Sequence, residues 1–316
     1  MPTSASLNSD NDTFPEYFIL TGLSRQSQVR AALFVIFLML YLATVFGNGL
    51  IVILCIMDSR LHTPMYFFLG NLSFIDVCYC TSSVPQILVH CFQEPPTISS
   101  NRCLAQMRIS LFLGMTECIL LAVMAYDRFV AICSPLHYTL IMSPRLCIAL
   151  AAFSWITSLL LTLIPSFTMK ARLCGHNVIH HLSCEIRAVL KLACSDISTN
   201  VTFMSGSSVF TLLIPFSFIL VTYGRIGLTI LRMRSAQGRS KAFSTCGSHL
   251  TVVGIFYGTA IAMYTQPQTK AISESDIFVS TFYGVITPML NPLIYSLRNK
   301  DVKAAVYRMM GREMKT

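Results

Sequence analysis

Charge is what this sequence has least of. Only 12% of its 316 residues are Asp, Glu, Lys or Arg, 54% are hydrophobic, and the mean hydropathy is +0.63. Soluble domains run at about a quarter charged, so this chain has too few polar side chains to cover a water-facing surface. It holds no phosphate-cradling glycine loop, no metal-ligand spacing within its apolar runs and no nucleophile–base pair in a supporting context, which argues against an enzyme. No ten-residue alternation marks barrel strands, so an all-α bundle is the structure that can satisfy the backbone in hydrocarbon. Repeats, low-complexity tracts and the inverted, broken helix pairs common in transporters are also missing. The chain reads as one unit.

Seven apolar runs are present, at about 29–56, 62–90, 101–131, 144–167, 200–231, 243–265 and 275–297. Each is long enough to cross a bilayer, which takes roughly 20 helical residues. An odd number of spans puts the ends on opposite sides. With the N-terminus outside, the inner segments collect fourteen bases against four acids, a net +10. The outer segments hold nine against eight, and Asp76 and Glu117 in the membrane complete the overall +9. This asymmetry fixes the N-terminus outside. The basic balance therefore reflects topology and anionic lipid, not nucleic acid. The chain divides into an outer tail (1–28), a seven-span domain (29–297) and a basic amphipathic helix and tail on the inner leaflet (298–316). Residues 1–28 lack the basic start and apolar core of a cleavable signal, so the first span is expected to target the chain. Asn11-Asp12-Thr13 is a glycosylation sequon on the outer tail, whereas Asn71-Leu72-Ser73 falls inside the second span. Asn200-Val201-Thr202, at the outer end of the fifth, is left open.

Of twelve cysteines, Cys55, Cys78, Cys80, Cys118, Cys133, Cys147 and Cys246 lie in spans or at their inner ends, where a thiol acts as a small hydrophobe. Cys103, Cys174, Cys184 and Cys194 lie on the outer, oxidising side, and Cys91 is unassigned. Four cysteines allow three pairings, and spacing alone does not choose. A bridge from Cys103 would pin the loop between the fourth and fifth spans over the third as a lid. The same loop carries His176, His180 and His181. They are zinc or copper ligands in principle, but oxidised cysteines cannot join them, and a solvated loop titrating near neutral pH is the simpler expectation.

Asp76 and Glu117 lie mid-span, where an ionisable group is costly and marks function by default. With Asn48 and Asn291 they offer carboxylate and amide oxygens to a hard cation such as sodium; a protonated, hydrogen-bonded cluster is the alternative. Pro215, Pro288 and Pro292 fall inside spans and predict hinges. Asp127-Arg128 closes the third span, where Arg can snorkel to the interface. The chain's one tryptophan, Trp155, is expected to pack in the fourth span.

Seven spans, Asp-Arg ending the third and NPLIY at 291–295 resemble the rhodopsin-like G-protein-coupled receptors. Five motifs narrow the resemblance: LHTPMYFFLGNLSFID (61–76), MAYDRFVAIC (124–133), PLHY (135–138), KAFSTCGSHL (241–250) and PMLNPLIYSLRNKDV (288–302). In this order along the whole chain they look like the signature of vertebrate odorant receptors of the tetrapod type. The resemblance implies Cys103–Cys184 and Cys174–Cys194 disulfides, and a sodium site of Asn48, Asp76, Glu117 and Asn291. It also implies a plasma-membrane receptor that binds a small volatile odorant and activates the stimulatory olfactory G protein, raising cyclic AMP. Coupling and activation would fall to Asp127, Arg128, Tyr223, Arg239, Lys241, His249, Asn291, Pro292 and Tyr295. Asp127 is expected to hold Arg128 at rest and release it when the sixth helix opens.

The chain departs from rhodopsin-like receptors at large in three places. The inner start of the sixth span reads Arg232, Arg234, Arg239, Lys241, with no acid to hold Arg128. Closure is expected through Thr245, Ser248 or His249. Tyr257 replaces a familiar tryptophan, and Thr222-Tyr223 replaces a serine-tyrosine.

Helical spacing from Cys103 puts Ser110, Leu111, Gly114, Met115 and Cys118 on one pocket face. Met204, Ser207, Ser208 and Thr211 join from the fifth span, Tyr257, Ala260, Ile261 and Tyr264 from the sixth, Thr281 and Gly284 from the seventh. An apolar wall with a few hydroxyls suits a small neutral ligand, and no acid is expected there except a deeper Glu117, which disfavours amines. Arg108 and Arg187 could meet an anion, though a solvated or snorkelling Arg is the simpler expectation. The rival is a rhodopsin-like receptor for another small ligand outside the olfactory system.

Overall fold

The computed structural model describes residues 15–24, 26–168, 173, 177–264, 273–298 and 300–309. Its seven long helices are α1 (Ser27–Met57), α2 (Pro64–His90), α3 (Ser100–Cys133), α4 (Pro144–Thr168), α5 (Ser198–Arg232), α6 (Ala236–Tyr264) and α7 (274–298), and all seven have the length and apolarity to span a membrane. A shorter α8 (Lys300–Met309) follows. The ends have local causes. Pro64 and Pro144 open α2 and α4, their fixed φ suiting a first turn that needs no N–H. At α7 the Asp276 carboxylate accepts from Ser273 N–H at 2.9 Å. Helix α6 begins seven residues before the apolar run at 243, because hydropathy marks the part in hydrocarbon and not the helix that projects beyond it.

Helix α3 is the most buried span and stands at the centre, against α2, α4, α5 and α6. Apolar side chains left exposed, such as Phe46, Ile56, Phe167, Val221 and Leu231, form a lipid-facing surface no water-soluble protein would carry. Trp155 packs as expected, against Phe74 and Phe112, and its Nε1 donates to Asn71 Oδ1 at 3.2 Å.

The prolines act where the sequence puts them. Pro215 and Pro288 each follow a widened turn, at Val209–Leu213 and Phe282–Ile286, which relieves the clash of the ring with the carbonyl four residues back. Pro288 cannot donate to the Gly284 carbonyl, which accepts from Cys80 Sγ at 3.5 Å instead. Pro292 likewise leaves the Pro288 carbonyl to Asn48 Nδ2, at 2.9 Å. Gly47 makes that approach possible, since a Cβ there would stand 3.0 Å from the Pro292 ring.

One element adds to the all-α expectation. Strand β1 (Tyr17–Leu20) pairs antiparallel with β2 (Thr97–Ser99) and parallel with β3 (Val178–Ile179). This small outer sheet buries Phe18, Leu20, Ile98 and Ile179 around Cys103 and Cys184.

Candidate functional site

A cavity of about 100 Å³ lies under the loop between α4 and α5, among the outer halves of α2, α3, α5, α6 and α7. That volume has room for roughly seven to ten water-sized groups, the scale of a small volatile molecule. Ser110, Leu111, Gly114, Met115 and Cys118 line it from α3, Met204, Ser207, Ser208 and Thr211 from α5, Ala260 from α6, Thr281 and Gly284 from α7. Tyr257 does not: it is buried against Phe216, and its hydroxyl donates to the Cys118 carbonyl at 2.8 Å. Ile261 packs on the helix core instead of lining the cavity. The Tyr264 and Lys241 side chains, Asn11, Cys174 and His176 lie outside the described residues.

Helix α2 contributes Tyr79, Ser83 and Ile87, which spacing from Cys103 had no reason to include. Their separation by four residues, starting just after Asp76, is the signal that could have found them. Gly284 admits the Tyr79 ring, to which a Cβ would come within 3.2 Å.

The lid is pinned by the Cys103–Cys184 disulfide; Cys194 is disulfide-bonded as well. Gln106, one turn along α3 from Cys103, accepts from the Cys184 N–H at 2.9 Å and donates to the Ser82 carbonyl at 2.9 Å. Two expectations for the lid need correction. His181 is not a solvated loop residue: it is 2% exposed, its Nε2 meets Ser280 Oγ of α7 at 2.7 Å, and burial lowers its pKa to about 4. Arg187 is neither solvated nor lipid-facing. It is 5% exposed and donates from Nη1 to the Met263 carbonyl near the outer end of α6, at 2.5 Å. Arg108 is exposed and away from the cavity.

A third correction concerns charge. One acid does face the cavity, Glu185, next to the bridged Cys184, while Glu117 lies deeper. Burial pushes its carboxyl up to about 7, against the pull of Arg187. Position beside a pinned cysteine was the signal for it. His180, by contrast, is exposed and meets Thr21 Oγ1 at 2.7 Å. Among the described residues no group of three His, Cys, Asp or Glu side chains is placed to share a metal.

Below the cavity, Asn48, Asp76, Glu117 and Asn291 are all buried. Asn291 Nδ2 donates to both Asp76 oxygens, at 3.0 and 3.2 Å, and Glu117 stands within electrostatic reach of Asp76. Asn48 Oδ1, Glu117 Oε1 and Asn291 Oδ1 have no hydrogen-bond partner. Three unanswered oxygens beside a carboxylate are a donor set that fits a hard cation.

On the cytoplasmic side Arg128 contacts Asp127, and Tyr138, in the turn after α3, donates to the other Asp127 oxygen at 2.7 Å. Burial, then the Asp127 charge, raise the Tyr138 pKa, keeping its proton in place. Tyr138 lies in the PLHY motif, but its partner could not be read from position. Tyr223 of α5 stacks on His249 of α6, with its hydroxyl 2.7 Å from Nδ1. Ser248 donates to the Ile294 carbonyl of α7 at 3.3 Å. Pro292 stands on the α7 turn described above, and the Tyr295 hydroxyl is buried without a partner. Arg239 sits in the cytoplasmic start of α6. Helix α8 is tied to the bundle by Arg308–Asp58 at 2.5 Å, which lowers the Asp58 pKa, and by Tyr66 donating to Asp301 at 3.1 Å.

This is the fold of the rhodopsin-like G-protein-coupled receptors. Squid rhodopsin superposes with a TM-score of 0.74 over 90% of this chain and 82% of its own, at 18% identity. Sequence narrows the class. The family model described as olfactory receptor matches residues 37–313. Human olfactory receptor 13H1 is 54% identical over 95% of this chain and 98% of its own length, and human olfactory receptor 13D1 is 50% identical over 94% and 86%. The chain belongs to the olfactory receptor family. It is a multi-pass plasma-membrane odorant receptor that couples to a G protein, and not an enzyme.

Proposed function

We propose that a small neutral volatile molecule binds in the cavity beneath the lid and opens the cytoplasmic face to the stimulatory olfactory G protein, raising cyclic AMP. The observation that carries this reading is the cavity, walled by five helices and roofed by a disulfide-pinned loop. Its floor is coupled to the helices that must move: Tyr257 of α6 holds the Cys118 carbonyl of α3. A ligand shifts the receptor toward the open state only by binding that state better. Opening α6 breaks Tyr223–His249 and Ser248–Ile294, and frees Arg128 from Asp127 to meet the G protein. With no acid at the start of α6, the first two contacts replace the missing ion pair. A sodium ion held by Asn48, Asp76, Glu117 and Asn291 would supply positive charge to the two buried acids. The three unanswered oxygens support that site.

The test is cyclic AMP in cells that display the receptor and express the olfactory G protein, over a panel of small volatiles. An odorant-dependent rise that disappears in Arg128→Ala at equal surface display is the expected result. A response unchanged by that substitution would sink the role given to Arg128. Replacing extracellular sodium by a large organic cation should shift odorant potency in the native receptor and not in Asp76→Asn.

A further inference from the structure

Three of the cavity's hydroxyls have their protons committed to their own helices. Ser207 and Thr211 donate their protons to the Met204 and Ser207 carbonyls, at 2.9 and 2.7 Å, and Thr281 donates to the Ile277 carbonyl at 2.7 Å. A hydroxyl whose proton is used this way offers a ligand only lone pairs. Glu185 is the one acid among the described residues that line the cavity, and its Oε1 is buried without a partner. The cavity's other hydroxyls, Tyr79, Ser83, Ser110 and Ser208 among them, can turn their protons toward a ligand or away from it, so they do not decide the matter. Glu185 does, because a hydroxyl without a ligand rotates to a neighbour, whereas a buried carboxyl oxygen stays unanswered at full cost.

We infer that Glu185 selects the ligand class, accepting a hydrogen bond from the hydroxyl of a neutral alcohol or phenol in the cavity. The inference rests on the cavity being the odorant site. The carboxyl lines the cavity and keeps a lone pair for that hydroxyl whether or not it is ionised, a turn about its last bond bringing the unanswered oxygen round to the ligand. A cationic amine is the poorer ligand. Besides Glu185, the lid and the start of α7 set His181, Arg187, Lys191 and Asp276 around this corner, and two of these are positive. Burying an ammonium among them in an otherwise apolar cavity costs more than burying a hydroxyl.

The experiment uses purified full-length receptor and thermal stabilisation by 1-octanol, 2-octanone, heptyl methyl ether and octylamine, molecules of equal heavy-atom count. A cyclohexylethyl set with the same four head groups runs alongside. In at least one set the alcohol should stabilise at a concentration roughly ten- to a hundred-fold below its ketone and ether, the ratio expected for a hydrogen bond to a carboxylate. Glu185→Leu should bring the three within about three-fold of one another, while Glu185→Gln, which keeps an acceptor oxygen, should retain most of the preference. Equal stabilisation by alcohol, ketone and ether overturns the inference. So does a preference that survives Glu185→Leu, an amine that outperforms its alcohol, or no stabilisation by any probe. Cyclic AMP measured in parallel separates the two readings: an alcohol that stabilises the receptor without signalling supports this inference and sinks the coupling proposed above.

Discussion

Replacing Glu185 with Gln should give the lid a pH dependence that the native lid lacks. Glu185 keeps its proton up to about 7 when the lid is closed, against 4.5 when it is exposed. Between those values the closed lid binds the extra proton, so the Glu185 contribution is complete at low pH and is lost as pH rises through 7. His181 runs the other way. Its pKa falls from 6.5 to about 4 on closure, so its contribution is complete above 6.5 and is lost as pH falls toward 4. Each group is worth up to roughly 3 kcal/mol, at about 1.4 kcal/mol per pKa unit. Where the windows overlap, from 4.5 to 6.5, the slopes cancel. Closing the native lid then only trades a His⁺–Glu⁻ pair for a neutral one. Hydrogen exchange of residues 177–190 in lipid nanodiscs, corrected for the intrinsic pH dependence of exchange, reads the opening free energy directly. The native lid should be flat across the overlap. Glu185→Gln should gain stability with rising pH by about 1 kcal/mol per unit, and His181→Asn should lose it at a similar rate. Identical profiles for the native receptor and Glu185→Gln would refute the assignment of Glu185, and flat ones for both would refute that of His181 as well.

Three further perturbations follow from particular contacts. Arg187→Ala leaves the Met263 carbonyl without its donor, and thermal unfolding of the purified receptor should register a loss of about 2 kcal/mol, the scale of a charge-assisted hydrogen bond. Gly22→Ala places a Cβ 2.5 Å from the His181 carbonyl carbon and 2.6 Å from the Leu182 nitrogen, both backbone atoms that cannot swing aside. Surface display, read by antibody against an outer tag, should fall several-fold, and normal display would show that β1 does not need its place beside the lid. Tyr138→Phe removes one of the two partners of buried Asp127. A loss of about 1 kcal/mol from the resting state shifts a two-state equilibrium roughly five-fold, so basal cyclic AMP should rise at equal display; unchanged basal signalling would mean Arg128 alone keeps Asp127 in place.

The bundle was legible because its information is periodic or local. Apolar runs located every span, and the excess of bases on one side oriented them, both being properties of contiguous sequence. Asp76, Asn291 and Asn48 could be grouped because a mid-span polar residue in hydrocarbon has few alternatives to another such residue. The α3 residues picked by spacing from Cys103, and the α5 residues offered beside them, line the cavity. Tyr257 and Ile261, offered from the sixth span, do not line it, because a helix face says which side points inward but not how deep each residue sits. Tyr257 points inward, but its hydroxyl is spent on the Cys118 backbone carbonyl and does not open onto the cavity.

The lid defeated the reading for a different reason. Nothing periodic distinguishes His181, Glu185 or Arg187 from the residues of a solvated loop, and charge normally argues for exposure. Their burial comes from partners remote in the chain: Ser280 across 99 residues, Met263 across 76, and the segment of β1, just after which the Thr21 N–H donates to the Ile179 carbonyl at 3.0 Å. A loop can bury ionisable groups only if something fixes it firmly enough to offset their desolvation. Here the disulfide and Gln106 fix it to α3, the strand pairs fix it to the N-terminal segment, and His181 and Arg187 fix it to α7 and α6. The same ties give the ceiling of the cavity contact with the two helices that carry Ser248, His249 and Asn291 further in. A ligand that moves Glu185 therefore acts on α6 and α7 at their outer ends, through hydrogen bonds whose loss can be measured one at a time.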